Sequence, residues 1–264
     1  MDIQTASGTH RGEADQARSR YDAVLFDLDG TLLPMDFDTF MKGYLGLLVK
    51  TLAPFGYDKD RLVGDLWKGV GAMARNDGSM PNRTRFWETF AQGFPEKFVG
   101  ATSEESEALL KRQDDLFLSF YANEFDGARA YTSPAPEAAK EAVALARRRA
   151  DRVILATNPF FPAVAIELRL SWVGLRPDDF DYVTTYETSS FCKPNPLYYR
   201  EVLARFDLDP AGCLMVGNDV AEDIAPTEGL GMGCFLVTDC LIDKAGAGAD
   251  VPSGSMGELI TWLS

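Results

Sequence analysis

Histidine is almost absent from this sequence. Of the 264 residues only His10 is a histidine, and it lies in a polar stretch at residues 1–20 that shows no helical or strand periodicity. Histidine is the side chain most often used for general acid–base catalysis, and it is a common metal ligand. We therefore expect no histidine base, phosphohistidine or histidine metal site in the folded core, and we expect residues 1–20 to form a flexible tail.

Cysteine and long hydrophobic runs are also scarce. The four cysteines form no Cys-x-x-Cys pair, which argues against a zinc site and indicates reduced thiols. The most apolar stretch, Phe40–Phe55, is too short to span a bilayer and is interrupted by Lys42 and Lys50. The polar tail has no apolar core of the kind found in a secretory signal. We therefore expect a cytoplasmic protein with no membrane partner.

Positive charge is in short supply as well. Lysine and arginine number 26 against 40 aspartates and glutamates, which gives a formal net charge of −14. A field of this sign repels nucleic acid and anionic membranes, so we expect no nucleic-acid partner. A site for a phosphorylated substrate would have to be neutralised locally, by a metal ion or a lysine.

The most informative segment that is present is Asp27-Leu28-Asp29-Gly30-Thr31. It closes the apolar run Ala23–Phe26, which predicts a buried strand at Tyr21–Leu28 with two carboxylates at its end. Ligands of open α/β sheets bind beyond the carboxyl ends of the strands. Two acids crowded there are costly unless a cation, a shared proton or phosphate chemistry makes use of them. The alternative interpretation is an Asp-rich β-turn without a function.

The rest of the chain has two textures. Residues 34–126 carry apolar side chains at helical spacing between turn clusters and predict four or so helices. From Tyr131 onward predicted strands and helices alternate, which indicates a parallel sheet covered by helices on both faces. The predicted fold class is therefore α/β, with a Rossmann-like parallel-sheet core at residues 21–33 and 127–264 and an inserted all-helical cap domain at 34–126.

Three later strands also end in residues capable of chemistry. Each has an ordinary structural interpretation, as a helix N-cap, a loop marker or an exposed acid at a helix start. Because these residues follow one another at the ends of consecutive strands, they nevertheless indicate one shared site. The last pair lies at the start of a short helix predicted at Ala221–Leu230. In chain order these residues are Thr157 and Asn158, then Lys193, then Asp219 with Asp223.

These motifs, in this order, resemble those of the haloacid dehalogenase superfamily, in the branch that carries a helical cap between the first and second motifs. The resemblance runs from about Tyr21 to the C-terminus, and the DxDGT motif at residues 27–31 is its most specific part. The fourth motif departs from the usual pattern, because Gly217 is followed by Asn218 and the acid comes one position later, at Asp219.

The resemblance implies a role for each matched residue. Asp27 would attack phosphorus and become an aspartyl-phosphate, while Asp29 would protonate the leaving oxygen and then activate water. Thr157 and the backbone of Asn158 would bind phosphate oxygens. Lys193 would neutralise both the nucleophile and the phosphate.

The resemblance also implies a Mg²⁺ cofactor. The ion would be held by the Asp27 carboxylate, the Asp29 main-chain carbonyl and Asp219. Asp223 would act one layer further out, by orienting Lys193 or a water ligand of the metal. Phosphoryl transfer requires mainly positioning and charge stabilisation, which a metal and a lysine supply.

The expected function is that of a Mg²⁺-dependent phosphatase acting on a small phosphorylated metabolite. A sugar phosphomutase of the same fold and a catalytically idle ligand-binding module remain alternatives. Members of the superfamily that act as dehalogenases lack an acid at the position of Asp29, which disfavours dehalogenation. The sequence indicates neither the identity of the substrate nor the oligomeric state.

The cap is expected to select the substrate. Two aromatic and three cationic cap residues are candidates for the lining of the cleft, although aromatic residues in a small helical unit more often belong to its core. The loop Pro159-Phe160-Phe161-Pro162 either walls the leaving-group pocket or packs the start of the next helix. The cap candidates are Trp67, Lys68, Arg83, Arg85 and Trp87.

Overall fold

A six-stranded parallel sheet lies at the centre of the structure, a computed structural model that describes residues 21–95, 102–246, 248 and 250–264. The strand order is β3-β2-β1-β4-β5-β6, which places β1 and β4 side by side in the middle of the sheet. The tail predicted at residues 1–20, with His10, lies outside the described residues. The strands are β1 (Tyr21–Phe26), β2 (Ala150–Leu155), β3 (Tyr182–Val183), β4 (Cys213–Gly217), β5 (Gly233–Val237) and β6 (Ser253–Gly254).

The helices fall into two groups along the chain. The first group lies within the predicted insertion and consists of α1 (Phe37–Leu52), α2 (Lys59–Ala74), α3 (Asn82–Ala91) and α4 (Ser103–Asn123). The second group accompanies the later strands and consists of α5 (Pro136–Arg149), α6 (Ala163–Trp172), α7 (Pro196–Ala204), α8 (Ala225–Glu228) and α9 (Met256–Leu263). None of these helices within the described ranges has both the length and the apolar composition needed to cross a bilayer.

Side chains of β1 alternate between two apolar layers. Val24 and Phe26 belong to the larger layer, which continues without interruption into the cap, whereas Ala23 and Leu25 belong to the other, together with Tyr198 of α7. All four strand residues are fully buried. Burial of both faces is typical of a parallel sheet with helices on each side. The predicted α/β class, a Rossmann-like core with a helical cap, is confirmed.

Strand β1 is shorter than predicted. It ends at Phe26 instead of Leu28, because the Leu28 carbonyl accepts turn hydrogen bonds from the N–H groups of Thr31 (3.2 Å) and Leu33 (2.8 Å). Asp27 and Asp29 therefore do not occupy one face of a continuing strand. They come together because the chain turns back on itself directly after β1.

The fourth motif also differs from the prediction of a single helix at Ala221–Leu230. The chain forms a π-helical turn at Val220–Ile224, and only then the four-residue helix α8. The Asp219 carbonyl accepts hydrogen bonds from both Asp223 N (2.8 Å) and Ile224 N (3.4 Å), and this shared acceptor widens the first turn.

The cap contacts the segment between β3 and α7. At the start of α3 the main-chain N–H groups of Asn82 and Arg83 donate to the carbonyls of Ser189 (2.9 Å) and Tyr186 (2.7 Å). The buried Asn82 side chain donates to the Phe191 carbonyl at 3.2 Å. The cap is thus hydrogen-bonded to the segment that leads directly into Lys193.

Two glycines of α2 provide a test of cap packing. Gly69 lies against Phe86 of α3, and a Cβ there would come within 2.6 Å of the ring, whereas a Cβ on Gly64 would meet no atom within 4 Å. We expect Gly69→Ala to lower the free energy of unfolding by about 1–3 kcal/mol through overpacking. Gly64→Ala, the control, should raise it by about 1 kcal/mol through helix propensity. Urea unfolding measures both, and equal effects would contradict this packing of α2 on α3.

Candidate active site

The turn that carries the first motif is held in place from both sides. The Asp27 N–H extends the β1–β4 ladder by donating to the Val216 carbonyl at 2.9 Å. Gly30 has φ +89°, a conformation that glycine adopts without strain, and a Cβ there would lie 2.3 Å from Asn218 Nδ2. Glycine is therefore required at position 30 for both its backbone conformation and its close approach to β4.

Asn218 occupies the position where the fourth motif departs from the usual pattern. Its Oδ1 accepts from the Thr31 hydroxyl at 3.0 Å, and its Nδ2 donates to the Cys240 carbonyl at 2.7 Å. The amide thus ties the first-motif turn to the chain after β5. Asp219, the next residue, is half-buried and lines the same cavity as Asp27.

Lys193 lies buried between two carboxylates. Its Nζ is 2.9 Å from Asp27 Oδ1 and 2.6 Å from Asp223 Oδ1. The second oxygen of Asp223 accepts from the main-chain N–H groups of Asn218 and Asp219, each at 3.1 Å. The structure therefore brings Asp223 into direct contact with Lys193.

Burial and charge act in opposite directions on this cluster. Burial lowers the pKa of Lys193, but the attraction of Asp223 and Asp27 outweighs burial and raises that pKa well above its usual value. Burial also raises the pKa of Asp27 to about 8, with Lys193 lowering it and Asp223 and Asp29 adding like-charge repulsion. The cluster thus contains more carboxylates than its lysine alone can keep ionised.

Thr157 and Asn158, predicted to bind phosphate, lie at the end of β2 and line the cavity above Asp27. Thr157 is almost completely buried, and its carbonyl is fixed by the hydroxyls of Thr184 (2.7 Å) and Tyr198 (2.9 Å). The Asn158 Oδ1 is buried without a hydrogen-bond partner among the described residues. An unpaired buried acceptor on a residue that lines the same cavity as Asp27 indicates a place for a hydrogen-bond donor of a bound molecule or for an ordered water.

Arg169 is a site residue that the sequence prediction did not include. It is completely buried on α6, forms an ion pair with Asp29, and stacks its guanidinium over the Phe161 ring at 4.3 Å. Asp29 Oδ1 and Arg169 Nη2 are buried without hydrogen-bond partners in the described part of the chain. The signal in the sequence was a cation at helical spacing from Ile166, on the face of α6 that also carries the buried Ala165 and Trp172.

Glu222 is a second residue missing from the prediction. It lines the cavity, accepts from Asn158 Nδ2 at 2.9 Å, and burial raises its pKa. Its place directly before Asp223, in the turn capped by Asp219, was the available signal. Glu222 therefore connects Asn158 to the turn that carries Asp219 and Asp223.

The residues predicted to hold Mg²⁺ offer only oxygen donors. No group of three or more His, Cys, Asp or Glu side chains suited to a metal is found over the described ranges, so a site would rest on two carboxylates, Asp27 and Asp219, and a main-chain carbonyl. The three main-chain hydrogen bonds of the turn end on Leu28 and Leu33, which leaves the Asp29 carbonyl out of the turn network. Oxygen ligands of this kind fit Mg²⁺.

A cavity of about 210 Å³ lies between the cap and these motifs. The sheet side is polar, and the cap side is apolar and aromatic. The loop predicted to wall a leaving-group pocket contributes Phe160, Phe161 and Pro162 to the lining. The sheet side includes Asp27, Asp29, Thr157, Asn158, Asp219 and Glu222, and the cap side includes Tyr44, Leu45, Leu66, Trp67, Val70 and Trp87.

Comparison with known families agrees with this arrangement. The family model described as haloacid dehalogenase-like hydrolase matches residues 21–231. The chain belongs to this family. A mouse (Mus musculus) relative, haloacid dehalogenase-like hydrolase domain-containing protein 3, is 38% identical over 68 residues. That alignment covers 26% of this chain and 27% of the mouse protein.

Solved structures share the haloacid dehalogenase-like fold with this chain. A 2-haloacid dehalogenase from Pseudomonas syringae is 20% identical, with 92% of this chain and 98% of that chain covered and a TM-score of 0.59. A phosphatase of the family from Thermococcus onnurineus has the same identity and coverage and a TM-score of 0.51. The putative hydrolase YfnB from Bacillus subtilis, bound to magnesium, is 17% identical over 93% of this chain and 99% of that chain, with a TM-score of 0.53.

These neighbours establish the fold and leave the substrate open, because both dehalogenases and a phosphatase occur among them. The family model that the chain matches is one of hydrolases. Which bond it hydrolyses has to be argued from its own residues.

The pair of Asp29 and Arg169 can be tested through stability. Arg169→Met should lower the free energy of unfolding by about 3–5 kcal/mol, because it removes one partner of a buried ion pair. Lys140→Met, the control, breaks an exposed pair with Glu137 and should cost less than about 1 kcal/mol. The double variant Asp29→Asn/Arg169→Met should lose less than the sum of the two single changes, and strict additivity in urea unfolding would contradict the pairing.

Proposed function

We propose that this protein is a Mg²⁺-dependent phosphatase that hydrolyses a small phosphorylated metabolite through an aspartyl-phosphate. The observation that carries the proposal is the presence of Asp29 in the same cavity as Asp27. A phosphate ester expels an alkoxide, which needs a proton, whereas a carbon–halogen bond expels a halide, which does not. A second carboxylate beside the nucleophile is therefore useful for phosphate esters and has no such task in dehalogenation.

In the first step Asp27 acts as the nucleophile. Its Oδ1 is engaged by Lys193, so the other carboxylate oxygen attacks phosphorus as the bond from phosphorus to the leaving oxygen breaks. Asp29 gives its proton to that oxygen.

In the second step Asp29 acts as a base. It takes a proton from water, the resulting hydroxide attacks phosphorus, and the bond from phosphorus to the Asp27 oxygen breaks to release inorganic phosphate. Arg169 holds the Asp29 carboxylate in place through their ion pair. Lys193 stays between Asp27 and Asp223, and it stabilises the carboxylate that is regenerated.

The charge of the site supports a divalent cation. Five acidic side chains line the cavity, and the cations buried beside them are Lys193 and Arg169. Mg²⁺ held by Asp27, Asp219 and the Asp29 carbonyl would supply charge neutralisation for the phosphate and the acids. All remaining steps are performed by the side chains of the chain itself.

The proposal is tested by phosphate release. With Mg²⁺ the protein should release inorganic phosphate from acetyl phosphate and from alkyl phosphates, and chelation should abolish the release. Asp27→Asn should lower turnover at least about 10³-fold, because an amide does not attack phosphorus. Asp22→Asn, the same chemical change at an exposed position of β1, should leave turnover unchanged.

The same assay separates the alternatives. Isomerised phosphosugar with little free phosphate would indicate the phosphomutase. Halide release from 2-haloacids without phosphatase activity would indicate a dehalogenase, and a folded protein inactive in every assay would indicate an idle binding module. Each of these three results contradicts the proposal.

The metal ligand of the fourth motif has its own test. Asp219 Oδ1 caps the π-helical turn by accepting from Ala221 N (2.8 Å) and Glu222 N (3.0 Å), so Asp219→Asn preserves an oxygen acceptor while it removes the charge. We expect Mg²⁺ to raise the melting temperature of the natural protein, and Asp219→Asn to require at least about tenfold more Mg²⁺ for the same rise. Asp209→Asn is the control.

Asp209 also caps a helical turn, by accepting from Ala211 N at 3.1 Å, and it is not among the residues that line the cavity. Its variant should respond to Mg²⁺ as the natural protein does. An unchanged Mg²⁺ response of Asp219→Asn would remove Asp219 from the ligand set.

A further inference from the structure

The walls of the cavity indicate what the phosphate is attached to. We propose that the substrate is the phosphate monoester of an uncharged, apolar alcohol of the size of one ring or a branched aliphatic chain. This inference rests on the proposed phosphatase function, since it places the phosphate at Asp27 and the leaving group against the cap. It is carried by three properties of the cap side, namely its cations, its polar atoms and its size.

The cap cations predicted to line the cleft are engaged elsewhere. Lys68 pairs with Asp65 at 2.6 Å, Arg83 pairs with Asp114, and Arg85 bonds to Asp77 and Ser79 on the surface. None of the three lines the cavity, whereas the predicted aromatics Trp67 and Trp87 do. Within the described part of the cap, no lysine or arginine lines the cavity to receive a second phosphate or a carboxylate of the substrate.

Four aromatic side chains that line the cavity have their polar atoms hydrogen-bonded to protein, namely Tyr44, Trp87, Tyr121 and Tyr186. The hydroxyls of Tyr44 and Tyr121 bond to each other at 2.8 Å. The Trp87 Nε1 and the Tyr186 hydroxyl both donate to the buried Asp114, at 2.9 Å and 3.1 Å. A sugar placed against these walls would lose its hydrogen bonds to water and regain few, which costs free energy for each hydroxyl.

The remaining charged groups also disfavour an anionic leaving group. Glu222 on the sheet side, which is not among the proposed Mg²⁺ ligands, repels a second anion. Lys244 is the cation among the described lining residues, and it is exposed. An alcohol without charge meets none of this repulsion.

The size of the cavity limits the leaving group further. A cavity of about 150 Å³ is sufficient to bind benzene. The observed volume of about 210 Å³ therefore admits a phosphate with one small ring or branched chain. Phe37 and Trp67 line the cavity, yet each is 47% exposed, so a bound apolar group would cover aromatic surface that is otherwise in contact with water.

The test compares phosphates of primary alcohols, so that the leaving groups differ mainly in what the cap contacts. Benzyl phosphate should have a kcat/KM about 10- to 100-fold above those of glucose 6-phosphate and phosphoglycolate, as expected from burial of one ring. Equal or higher kcat/KM for glucose 6-phosphate or phosphoglycolate would overturn the inference. A preference for phosphoethanolamine would also overturn it, in favour of a cationic leaving group.

Variants of the cap wall sharpen this comparison. Leu45→Arg places a cation in the apolar wall, so kcat/KM should fall at least about tenfold for benzyl phosphate and rise for phosphoglycolate. Val49→Arg is the matched control, because Val49 lies one turn further along α1, is equally half-buried and does not line the cavity. Its ratio of the two substrates should equal that of the natural protein.

A second variant covers the case in which Leu45→Arg does not fold. Trp67→Ala removes a largely exposed side chain from the wall and should lower kcat/KM for benzyl phosphate alone. Trp262→Ala, at 42% exposure on α9 and outside the cavity lining, is its control. An unchanged substrate ratio in Trp67→Ala would contradict contact between the leaving group and the cap.

Acetyl phosphate distinguishes failure of the inference from failure of the proposed function. It carries an activated phosphoryl group with little for the cap to contact. Phosphate release from acetyl phosphate and from all alkyl phosphates without preference would leave the phosphatase standing and refute the apolar leaving group. No release from any compound would refute the phosphatase, and the inference with it.

Discussion

The structure of the site depends on one buried lysine shared by two carboxylates. Lys193 joins Asp27, at the end of β1, to Asp223, in the turn after β4. Truncation of a buried lysine in such a pair leaves its carboxylates buried without a partner. Such a change lowers the free energy of unfolding more than most substitutions in a core. The same ammonium group stands beside the oxygen atoms of the proposed nucleophile. Lys193 Nζ thus contributes both to the stability of the site and to the neutralisation of the carboxylates in it.

A second ion pair makes the two acids of the first motif inequivalent. Asp27 is paired with a lysine from the loop before α7, whereas Asp29 is paired with Arg169 from α6, whose guanidinium is packed on Phe161. Separate partners give two neighbouring carboxylates different environments, which is how one site can use one acid as nucleophile and the other for proton transfer. The division follows from the sharp turn after β1.

Much of the fold was predictable from the sequence because its elements are local. The alternation of strands and helices predicted from Tyr131 onward is observed from α5 to α9. The two-residue strand β6 was not predicted, because it is too short to show a period. The π-helical turn at Val220–Ile224 depends on how one carbonyl is shared and leaves no mark in hydrophobic periodicity.

The residues of the candidate site also divide into those that local sequence patterns predict and those that depend on tertiary packing. The motif residues could be predicted because they follow recognisable strands, and strand ends of a parallel sheet meet at one edge. Arg169 could not be assigned to Asp29, because 140 positions separate them and the burial of α6 is a tertiary property. Lys68 and Arg83 were reasonable cleft candidates from their position in the cap, but their partners Asp65 and Asp114 are determined by packing.

The hydrogen bonds between α3 and the segment before Lys193 connect the position of the cap to the charge around Asp27. Asn82 holds the Ser189 and Phe191 carbonyls, and Lys193 follows two residues after Phe191. If the cap rotated and displaced α3, these hydrogen bonds would move the segment at residues 189–191. Lys193, the counter-ion of Asp27, would shift with it. The position of the cap and the electrostatic environment of Asp27 would then change together.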